Sequence, residues 1–334
     1  MKILITGGLG YIGSHAAVVL SEARHDVVIL DNLSNSNIDV LKRLKKIVGK
    51  DLPFICADIN DTNTVLSILK DFSIDAVMHF AGLKSVAESV KNPIKYYYNN
   101  VVGSVSLFDA MTRANVKKIV FSSSATVYGE PKFLPYDEDH PTNPINPYGQ
   151  TKLQVEKILN DLVLSDASWT VALLRYFNPA GSHDSGLIGE DPNGIPSNLM
   201  PYIAQVAFGQ LPKLKVYGND YPTRDGTGER DYIHVVDLVE GHLSALNFLN
   251  KNSGCHAFNL GTGSSVSVLE LVKVFELTSK KTIPLEIVGR RHGDLPVYFA
   301  KVSRANDLLK WKAHRSIEDI CSSVCAFQKK AINN

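Results

Sequence analysis

The sequence predicts an α/β protein built on a doubly wound parallel sheet, with a smaller mixed α/β annex after it. Two observations predict this fold. Up to Asn178, continuous apolar runs alternate with segments of helical length, and a glycine-rich turn follows the first apolar run. Continuous apolar runs are typical of strands that are buried on both faces. Strands that alternate with helices form parallel sheets, because a right-handed crossover joins each strand to the next.

The elements of the first part follow in order. Six β-branched, apolar runs are predicted as strands: Lys2–Thr6, Val27–Asp31, Pro53–Asp58, Ala76–Ala81, Lys118–Ser124 and Thr170–Asn178. Five intervening segments are predicted as helices: Ile12–Ala23, Ile38–Val48, Thr62–Asp71, Pro93–Ala114 and Tyr148–Leu164. In such a sheet, ligands bind at the carboxyl ends of the strands.

The regular alternation stops after Asn178. Segments 179–196 and 217–230 are rich in Gly, Asp and Pro, which indicates irregular loops. Shorter helices are expected near Leu199–Phe208, Val235–Asn247 and Val268–Leu277, and strands near Lys215–Val216, Ala257–Leu260 and Leu285–Val288. We therefore expect a first domain over residues 1–178, joined by returning elements from about 231–260, and a smaller domain made mainly of residues 179–334.

Composition excludes several classes of protein. Of 334 residues, 44% are hydrophobic and 21% are charged, which is typical of globular chains and excludes disorder as the main state. Lys and Arg number 35 and Asp and Glu 34, so overall charge gives no reason to expect nucleic acid or a membrane as a partner. The apolar runs are shorter than the ~18 residues that span a bilayer. With four cysteines and no CxxC pair, neither a disulfide framework nor a metal site is expected. The strand that starts at Lys2 leaves no room for a signal peptide, so we expect a cytoplasmic protein.

The glycine-rich turn predicts a nucleotide site of the Rossmann type. Gly7, Gly10 and Gly13 form GxxGxxG between the first strand and the first helix. Glycines there allow a tight turn and close approach of the backbone to a pyrophosphate. The helix that follows offers free N–H groups and the positive end of its dipole. A merely tight strand-to-helix turn is the alternative.

Two aspartates follow the next two strands. Asp31 stands where a carboxylate can accept both hydroxyls of an adenosine ribose. It would repel a 2′-phosphate by roughly 4 kcal/mol at ~4 Å and an effective dielectric constant near 20, so NAD is favoured over NADP. Asp58 could hold the adenine amino group. Each aspartate could instead cap the segment that follows it.

A serine, a tyrosine and a lysine form the candidate catalytic group. Tyr148 and Lys152 are four residues apart and therefore share one face of the predicted helix. An ammonium group beside a phenol is expected to lower the pKa of the phenol, so that Tyr148 could exchange a proton with a sugar hydroxyl. Ser124, at the end of the fifth strand, could steady the same oxygen. A YxxxK pair alone is more often a solvated helix face, but here it follows a fifth parallel strand.

These motifs together resemble a known family. TGGLGYIGS, SSSATVYG, YGQTK and RYFNPAG are similar to the extended short-chain dehydrogenases/reductases. DNLSNS, FAGLKSV at 80–86, RDYIHVVDL and RRHGDLPVY at 290–298 extend the resemblance, more specifically, to the UDP-glucose 4-epimerase family. The resemblance covers nearly the whole chain. One departure is His292, where the family pattern leads us to expect proline.

The resemblance implies roles for many residues. Tyr148 would be the acid/base, Lys152 its electrostatic partner and Ser124 the group that orients the substrate oxygen. NAD would be surrounded by Gly7, Gly10, Tyr11, Ile12, Gly13, Asp31, Asn32, Leu33, Ser34, Asn35, Ser36, Asp58, Ile59, Phe80, Ala81, Gly82, Leu83, Lys84, Asn99, Ser122, Tyr148, Lys152 and Phe177. A UDP-sugar would contact Ser124, Asn178, Asn198, Leu199, Lys215, Val216, Tyr217, Arg230, Arg291, Asp294 and Tyr298. Arg230 and Arg291 would clamp the pyrophosphate; without the resemblance each would be an ordinary surface charge.

The implied reaction is the reversible conversion of UDP-galactose to UDP-glucose at C4, in galactose metabolism, through a 4-keto sugar and tightly bound NAD. The alternatives are another NAD-dependent nucleotide-sugar epimerase, a decarboxylase or a dehydratase of the same family, and a non-catalytic NAD sensor. A dehydratase is expected to carry Asp-Glu where this chain has Ala125-Thr126. Relatives of this kind often pair as homodimers, with helices 93–114 and 148–164 as the candidate interface.

Overall fold

The structure is a computed structural model that describes residues 1–192, 194, 196–291 and 293–333. Its strands are β1 (Lys2–Thr6), β2 (Asp26–Asp31), β3 (Phe54–Cys56), β4 (Ala76–His79), β5 (Lys118–Ser122), β6 (Thr170–Tyr176), β7 (Asn178–Ala180), β8 (Leu214–Tyr217), β9 (Glu229–Arg230), β10 (Tyr232–His234), β11 (Gly254–Leu260), β12 (Val266–Ser267), β13 (Leu285–Val288) and β14 (Val297–Tyr298). Its helices are α1 (Tyr11–Glu22), α2 (Asp39–Val48), α3 (Thr62–Asp71), α4 (Val86–Lys91), α5 (Pro93–Tyr96), α6 (Gly103–Ala114), α7 (Pro147–Ser165), α8 (Leu199–Ala207), α9 (Val235–Leu249), α10 (Val268–Ser279) and α11 (Ile317–Asn333). His292 lies outside the described residues.

The main sheet confirms the predicted fold class. Its seven strands are parallel and lie in the order β11-β6-β5-β4-β1-β2-β3. The chain moves outward from β1 to β3 and then returns to the other side of β1 with β4. This reversal places Thr6, the last residue of β1, in register with His79, the last residue of β4. The carboxyl ends of these two strands therefore border the crevice in which doubly wound sheets bind ligands.

Helices cover both faces of the main sheet. On one face, α1 packs on α9 through buried residues that include Ala17, Leu20 and Leu246. On the other face, α3 and α6 pack together and α7 lies over the sheet, with Leu107 and Leu159 in the core. Both α9 and β11 come from the second half of the chain, so distant segments complete the sheet.

The annex has a core of its own. Its helices α8, α10 and α11 bury Ile203, Phe275 and Cys321 together with Val216 of β8. Strand β13 pairs in parallel with β8, and β9 lies between β12 and β14. Burial raises the pKa of the Cys321 thiol to about 12, which is typical of an unreactive core cysteine. Across the described part of the chain, no helix is both long and apolar enough to cross a membrane.

One predicted helix is wrong as a single α-helix. The segment predicted over Pro93–Ala114 consists of α5, a π-helical segment over Tyr97–Val102, and α6. The wider turn buries Asn100, whose Oδ1 accepts from the Leu83 backbone N–H at 2.8 Å and whose Nδ2 donates to the Leu83 carbonyl oxygen at 3.0 Å. The irregular turn thus fixes the loop that follows β4, and π-helical turns of this kind are frequent at functional sites.

Candidate functional site

A cavity of about 980 Å³ runs from the glycine turn to the annex. Residues of the main sheet, of α7 and of the annex all line it. Its wall includes these predicted residues: Gly7, Gly10, Tyr11, Ile12, Gly13, Asn35, Ser36, Phe80, Gly82, Leu83, Lys84, Ser124, Tyr148, Lys152, Phe177, Asn178, Asn198, Leu199, Lys215, Val216, Tyr217, Arg230, Arg291, Asp294 and Tyr298. The fold therefore brings residues from many separate motifs to one space.

The glycine turn is shaped so that only glycine fits two of its positions. Gly7 has a φ of +69°, and a Cβ there would lie 2.8 Å from the Ala81 backbone nitrogen. A Cβ on Gly13 would lie 2.2 Å from the Gly7 carbonyl oxygen. Gly10 caps α1 without a side chain, and the first turn of α1 carries no acidic residue. Free N–H groups at this helix start fit a pyrophosphate, so the turn is suited to a dinucleotide such as NAD.

The Asp31 carboxylate, predicted to bind an adenosine ribose, forms hydrogen bonds with the glycine turn and with the loop after β2. Its Oδ2 accepts from the Leu9 backbone N–H at 3.0 Å, and its Oδ1 accepts from the Leu33 N–H at 2.9 Å and from Ser36 Oγ at 2.8 Å. The carboxylate is buried at the end of β2. Asp31 therefore does cap the loop that follows β2, which is the alternative considered from the sequence. Its role in binding NAD stays a prediction.

Some predicted cofactor residues do not line this cavity: Asp31, Asn32, Leu33, Ser34, Asp58, Ile59, Ala81, Asn99 and Ser122. Asp58 accepts from Asn32 Nδ2 at 2.8 Å and from the Asn60 N–H at 2.9 Å. Burial favours the neutral acid, but hydrogen bonds from Asn60 and Asn32 outweigh it and lower the pKa of Asp58. Asn99 Nδ2 donates to Asn100 Oδ1 at 2.9 Å. Asn100, and not Asn99, forms the hydrogen bonds to Leu83 in the loop after β4.

The catalytic group forms where β5 meets the start of α7. Asn146 caps this helix through its Oδ1, which accepts from the Gly149 N–H at 2.9 Å, and Tyr148 lies in the first turn. The Ser124 hydroxyl lies close enough to the Tyr148 phenol to act on its pKa, which it lowers. Ser124 Oγ also accepts from Thr126 Oγ1 at 2.9 Å. All three predicted catalytic side chains, Ser124, Tyr148 and Lys152, line the same cavity.

The electrostatics of this group differ from the prediction. Burial, and then the neighbouring Tyr176, raise the pKa of Tyr148, and the nearby Ser124 hydroxyl acts in the opposite direction. The prediction that Lys152 lowers the pKa of Tyr148 is wrong for this arrangement. Lys152 Nζ instead donates to the Ser122 carbonyl oxygen at 2.7 Å. Burial lowers the pKa of Lys152 itself to about 8, opposed by the charge of Glu156.

A buried ion pair supports the catalytic helix from behind. Arg175 of β6 donates Nε and Nη2 to the two carboxylate oxygens of Glu156, at 3.0 and 2.6 Å. Ser123 Oγ donates to Glu156 as well, which ties α7 to the end of β5. Sequence reasoning missed this pair, although Glu156 stands four residues after Lys152 on the same helix face.

The annex side of the cavity carries two arginines. Arg230 ends β9, and the Arg291 guanidinium lies 3.8 Å from the centre of the Tyr217 ring. Among the described residues neither forms a salt bridge, whereas Arg290 pairs with Asp220 at 2.7 Å. Both are therefore available to an anion, and a guanidinium fork suits phosphate oxygens.

Tyr298 of β14 narrows the cavity. Its ring centre lies 5.1 Å from that of Phe177 and 4.8 Å from that of Tyr136. Within the described part of the chain, its buried hydroxyl has no hydrogen-bond partner. Tyr298 therefore lines the cavity as a packed aromatic residue.

One acidic cluster lies outside the cavity. Asp237, Glu240 and His314 come close enough to hold a cation. Arg315 donates to both carboxylates, and the backbone N–H groups of His314 and Arg315 donate to Asp237 at 3.2 and 2.9 Å. The guanidinium already supplies the positive charge, so the cluster ties α9 to the segment before α11.

Comparison with known proteins identifies the family. The family model described as "GDP-mannose 4,6 dehydratase" matches residues 4–324. The UDP-glucose 4-epimerase of Bacillus subtilis (strain 168) is 56% identical over 333 residues, which cover 100% of this chain and 98% of the relative. The crystal structure of UDP-glucose-4-epimerase from Stenotrophomonas maltophila, with bound NAD and formylated UDP-arabinopyranose, has a TM-score of 0.98 and 50% identity and covers 100% of this chain and 99% of that one. The structure of UDP-glucose 4-epimerase from Bifidobacterium longum in complex with NAD+ and UDP has a TM-score of 0.96, 47% identity and the same coverage.

The broad family model carries the name of a dehydratase, but the full-length relatives are epimerases at more than half identity. This agreement covers both the main sheet and the annex. The chain therefore belongs to the UDP-glucose 4-epimerase family, within the NAD-dependent extended short-chain dehydrogenases/reductases.

Proposed function

We propose that this chain interconverts UDP-galactose and UDP-glucose at C4, in galactose metabolism, with Tyr148 as the acid/base. The observation that carries the proposal is the position of the Tyr148 phenol. It lies beside Ser124 on the wall of a cavity that runs from the glycine turn to Arg230 and Arg291. One wall suits a dinucleotide, the other suits a nucleotide-sugar pyrophosphate, and the acid/base lies between them.

Each catalytic side chain has a distinct task. Tyr148 takes the proton of the C4 hydroxyl, and Ser124 holds that oxygen in line with the phenol. Lys152 places a positive charge close to the developing phenolate, from a position fixed by its hydrogen bond to the Ser122 carbonyl oxygen. When bound, NAD supplies a reversible two-electron acceptor for the C4–H bond. After the 4-keto sugar has turned over, the hydride would return to the opposite face of C4, which inverts that carbon, while Tyr148 returns its proton to the C4 oxygen.

The division of the chain matches this chemistry. Residues 1–178, with the returning elements from about 231–260, would hold NAD, and residues 179–334 would hold the UDP-sugar. Arg230 and Arg291 would hold the pyrophosphate as a pivot. A firm hold on the pyrophosphate and a loose hold on the hexose allow the 4-keto sugar to rotate between the two half-reactions.

Dehydration is the second candidate, because the broad family model carries that name. It needs an acid and a base near C5 and C6 of the sugar. The expected Asp-Glu pair is replaced by Ala125, which is 1% exposed, and Thr126, whose hydroxyl donates to Ser124. Neither side chain can act as a general acid or base near neutral pH, so epimerisation is favoured.

We also propose a cytoplasmic homodimer. Ile94 and Tyr98, four residues apart, are 79% and 61% exposed, and Leu164 of α7 is 85% exposed. These apolar side chains lie on the two helical segments that the sequence suggested for a dimer. A second copy of the chain would cover them.

Replacement of the phenol tests the catalytic assignment. Tyr148→Phe keeps the ring but removes the proton that is transferred, and general acid–base groups contribute about 10²–10⁴-fold to rates. We expect turnover of UDP-galactose to fall by at least about 10²-fold, while NAD stays bound and UDP still binds by calorimetry. Turnover within twofold of the wild type would remove Tyr148 from the mechanism.

A further inference from the structure

The carboxylate of Glu190 is a buried charge in the cavity to which the proposed mechanism gives no role. Its side chain is 9% exposed and lies on the cavity wall. Sequence reasoning did not select it, because it lies in the loop-rich segment after β7. A buried carboxylate is costly unless it is paired, so its partners indicate what it does.

Glu190 joins the two halves of the cavity through one oxygen. Its Oε1 accepts from Lys84 Nζ at 2.6 Å and from Asn198 Nδ2 at 2.6 Å. Lys84 follows β4 beside the predicted cofactor residues, whereas Asn198 precedes α8 among the predicted substrate residues. The same atom therefore sets the position of a cation on one side and of an amide on the other.

The loop that carries Glu190 is held firmly. Ser182 and Gly189 form an antiparallel bridge, and a Cβ on Gly189 would lie 2.6 Å from Ser182 Oγ. Tyr11 of the glycine turn donates its hydroxyl to the Gly181 carbonyl oxygen at 2.7 Å. Burial and then the charge of Glu190 raise the pKa of Tyr11, so this phenol stays protonated and remains a donor.

The second carboxylate oxygen faces a small polar space. Glu190 Oε2 and Ser182 Oγ are both buried and have no partner among the described residues. Both residues line a cavity of about 10 Å³, which is close to the space that one water molecule needs. A water held there would anchor Oε2 and leave Oε1 to Lys84 and Asn198.

We propose that Glu190 is a positioning residue that couples the NAD half of the cavity to the UDP-sugar half. This proposal rests on the proposed function and adds a role for Glu190 to it. By holding Nδ2 of Asn198, the carboxylate fixes which way the amide faces the substrate. By pairing with Lys84, it keeps its own charge from repelling the UDP pyrophosphate and holds the ammonium at the edge of the cofactor half.

The test compares Glu190→Gln and Glu190→Ala with the wild type, all as NAD-loaded enzyme. Asp184→Asn is the control, since it removes one negative charge from an exposed position of the same loop. Four quantities are measured: the rate of NAD release after dilution, the Kd for UDP by calorimetry, and kcat and KM for UDP-galactose. Hydrogen bonds to charged groups support roughly tenfold effects or more on binding.

We expect Glu190→Ala to raise the Kd for UDP and the KM by about tenfold and to speed NAD release by about tenfold. Its kcat should stay within about threefold, because the hydrogen bonds of Glu190 within the described chain do not reach Ser124, Tyr148 or Lys152. Glu190→Gln keeps an acceptor for Asn198 but loses the charge, so NAD release should change more than the Kd for UDP.

Three outcomes would overturn the proposal: NAD release and Kd within twofold of the wild type in Glu190→Ala, equal changes in Asp184→Asn, or a fall in kcat without a change in KM or Kd. Failure of the proposed function is separate from these outcomes. It would appear as a wild-type protein that binds NAD and UDP but does not convert UDP-galactose.

Discussion

At the scale of single residues, the catalytic phenol lies in a setting that opposes its ionisation. Burial raises the pKa of Tyr148, and the nearby Ser124 hydroxyl offsets only part of that effect. Lys152, with a pKa of about 8, keeps most of its charge at neutral pH. The chain thus holds this cation against the backbone at the end of β5 through the Ser122 carbonyl oxygen, and the pKa of the phenol stays raised.

We propose that Tyr298 sets which sugars fit. Because its ring is packed against Phe177 and Tyr136, it cannot yield easily to a 2-acetamido group. Forcing extra atoms into a filled site typically costs about 1–3 kcal/mol, or roughly one to two decades in rate. We expect poor activity on UDP-N-acetylglucosamine and a gain of that activity in Tyr298→Cys. The measurement is kcat/KM for two sugar pairs, UDP-galactose with UDP-glucose and their N-acetylated counterparts.

Tyr298→Phe is the matched control for this prediction, since it keeps the ring and should gain nothing. If the wild type had equal kcat/KM for the plain and the N-acetylated sugar pair, Tyr298 would not exclude the 2-acetamido group. A Tyr298→Cys variant without improvement would show that another side chain limits the space.

Asp31 is predicted to set the choice of cofactor. Asp31→Ala removes the repulsive carboxylate but adds no phosphate ligand, so discrimination against NADP should weaken only partly. The substitution also leaves the Leu9 and Leu33 N–H groups without their acceptor, which should lower the free energy of unfolding by about 1–3 kcal/mol. Reconstitution with NAD or NADP, followed by activity and thermal unfolding, measures both effects.

The control is Asp39→Ala, which removes an exposed carboxylate paired with Lys42 at the start of α2. An unchanged cofactor preference in Asp31→Ala would refute the assignment of Asp31.

At the scale of elements, strands β1 to β6 of the main sheet could be predicted from sequence because their runs are largely apolar, whereas β11 contains His256 and Asn259 and was predicted only near Ala257–Leu260. Several predicted runs extended further than the strands: the runs to Ala81 and Ser124 end in the sheet at His79 and Ser122. The residues beyond those ends leave the sheet to form the site. Strands of only two residues, such as β12 and β14, are too short to show a periodic pattern. Contacts between distant segments of the chain set their positions.

The same limit applies to the site. Glycines and the Tyr-Lys pair stand at characteristic spacings, so the sequence was sufficient to select them. Asn100, Glu156 and Glu190 are single polar residues in segments typical of solvated faces or loops, and only the folded chain buries them. The single helix predicted over 93–114 failed for a related reason, since its π-helical turn depends on the contact between Asn100 and Leu83.

The glycine turn gives a prediction at this scale. In Gly13→Ala, the new Cβ would lie 2.2 Å from the Gly7 carbonyl oxygen and 2.8 Å from the Gly8 Cα, so the backbone of the turn must move. We expect a loss of stability of about 1–3 kcal/mol and faster NAD release. Chemical denaturation and NAD retention after gel filtration measure these effects.

Gly289→Ala is the matched control, because its Cβ would meet nothing within 4 Å. If Gly13→Ala retained NAD as well as this control, the turn would not be the pyrophosphate site.

At the scale of the whole molecule, the exposed apolar side chains of the two helical segments predict a dimer. We expect sedimentation at micromolar concentration to give twice the mass of the chain. Ile94→Lys combined with Leu164→Lys should yield monomers, since charges would be buried in the interface. Leu277→Lys, at a 72% exposed position of the annex helix α10, should leave the mass unchanged. A wild-type monomer at these concentrations would contradict the dimer.

The central claim is that one cavity holds both ligands and inverts C4 without net consumption of cofactor. The most direct measurement is incubation of the purified protein with UDP-galactose, with no added NAD, and identification of the sugar product by NMR. We expect UDP-glucose, formed until the two sugars reach equilibrium and with no accumulation of reduced cofactor. A dehydrated 4-keto-6-deoxy sugar, or no conversion by protein that carries NAD, would contradict it.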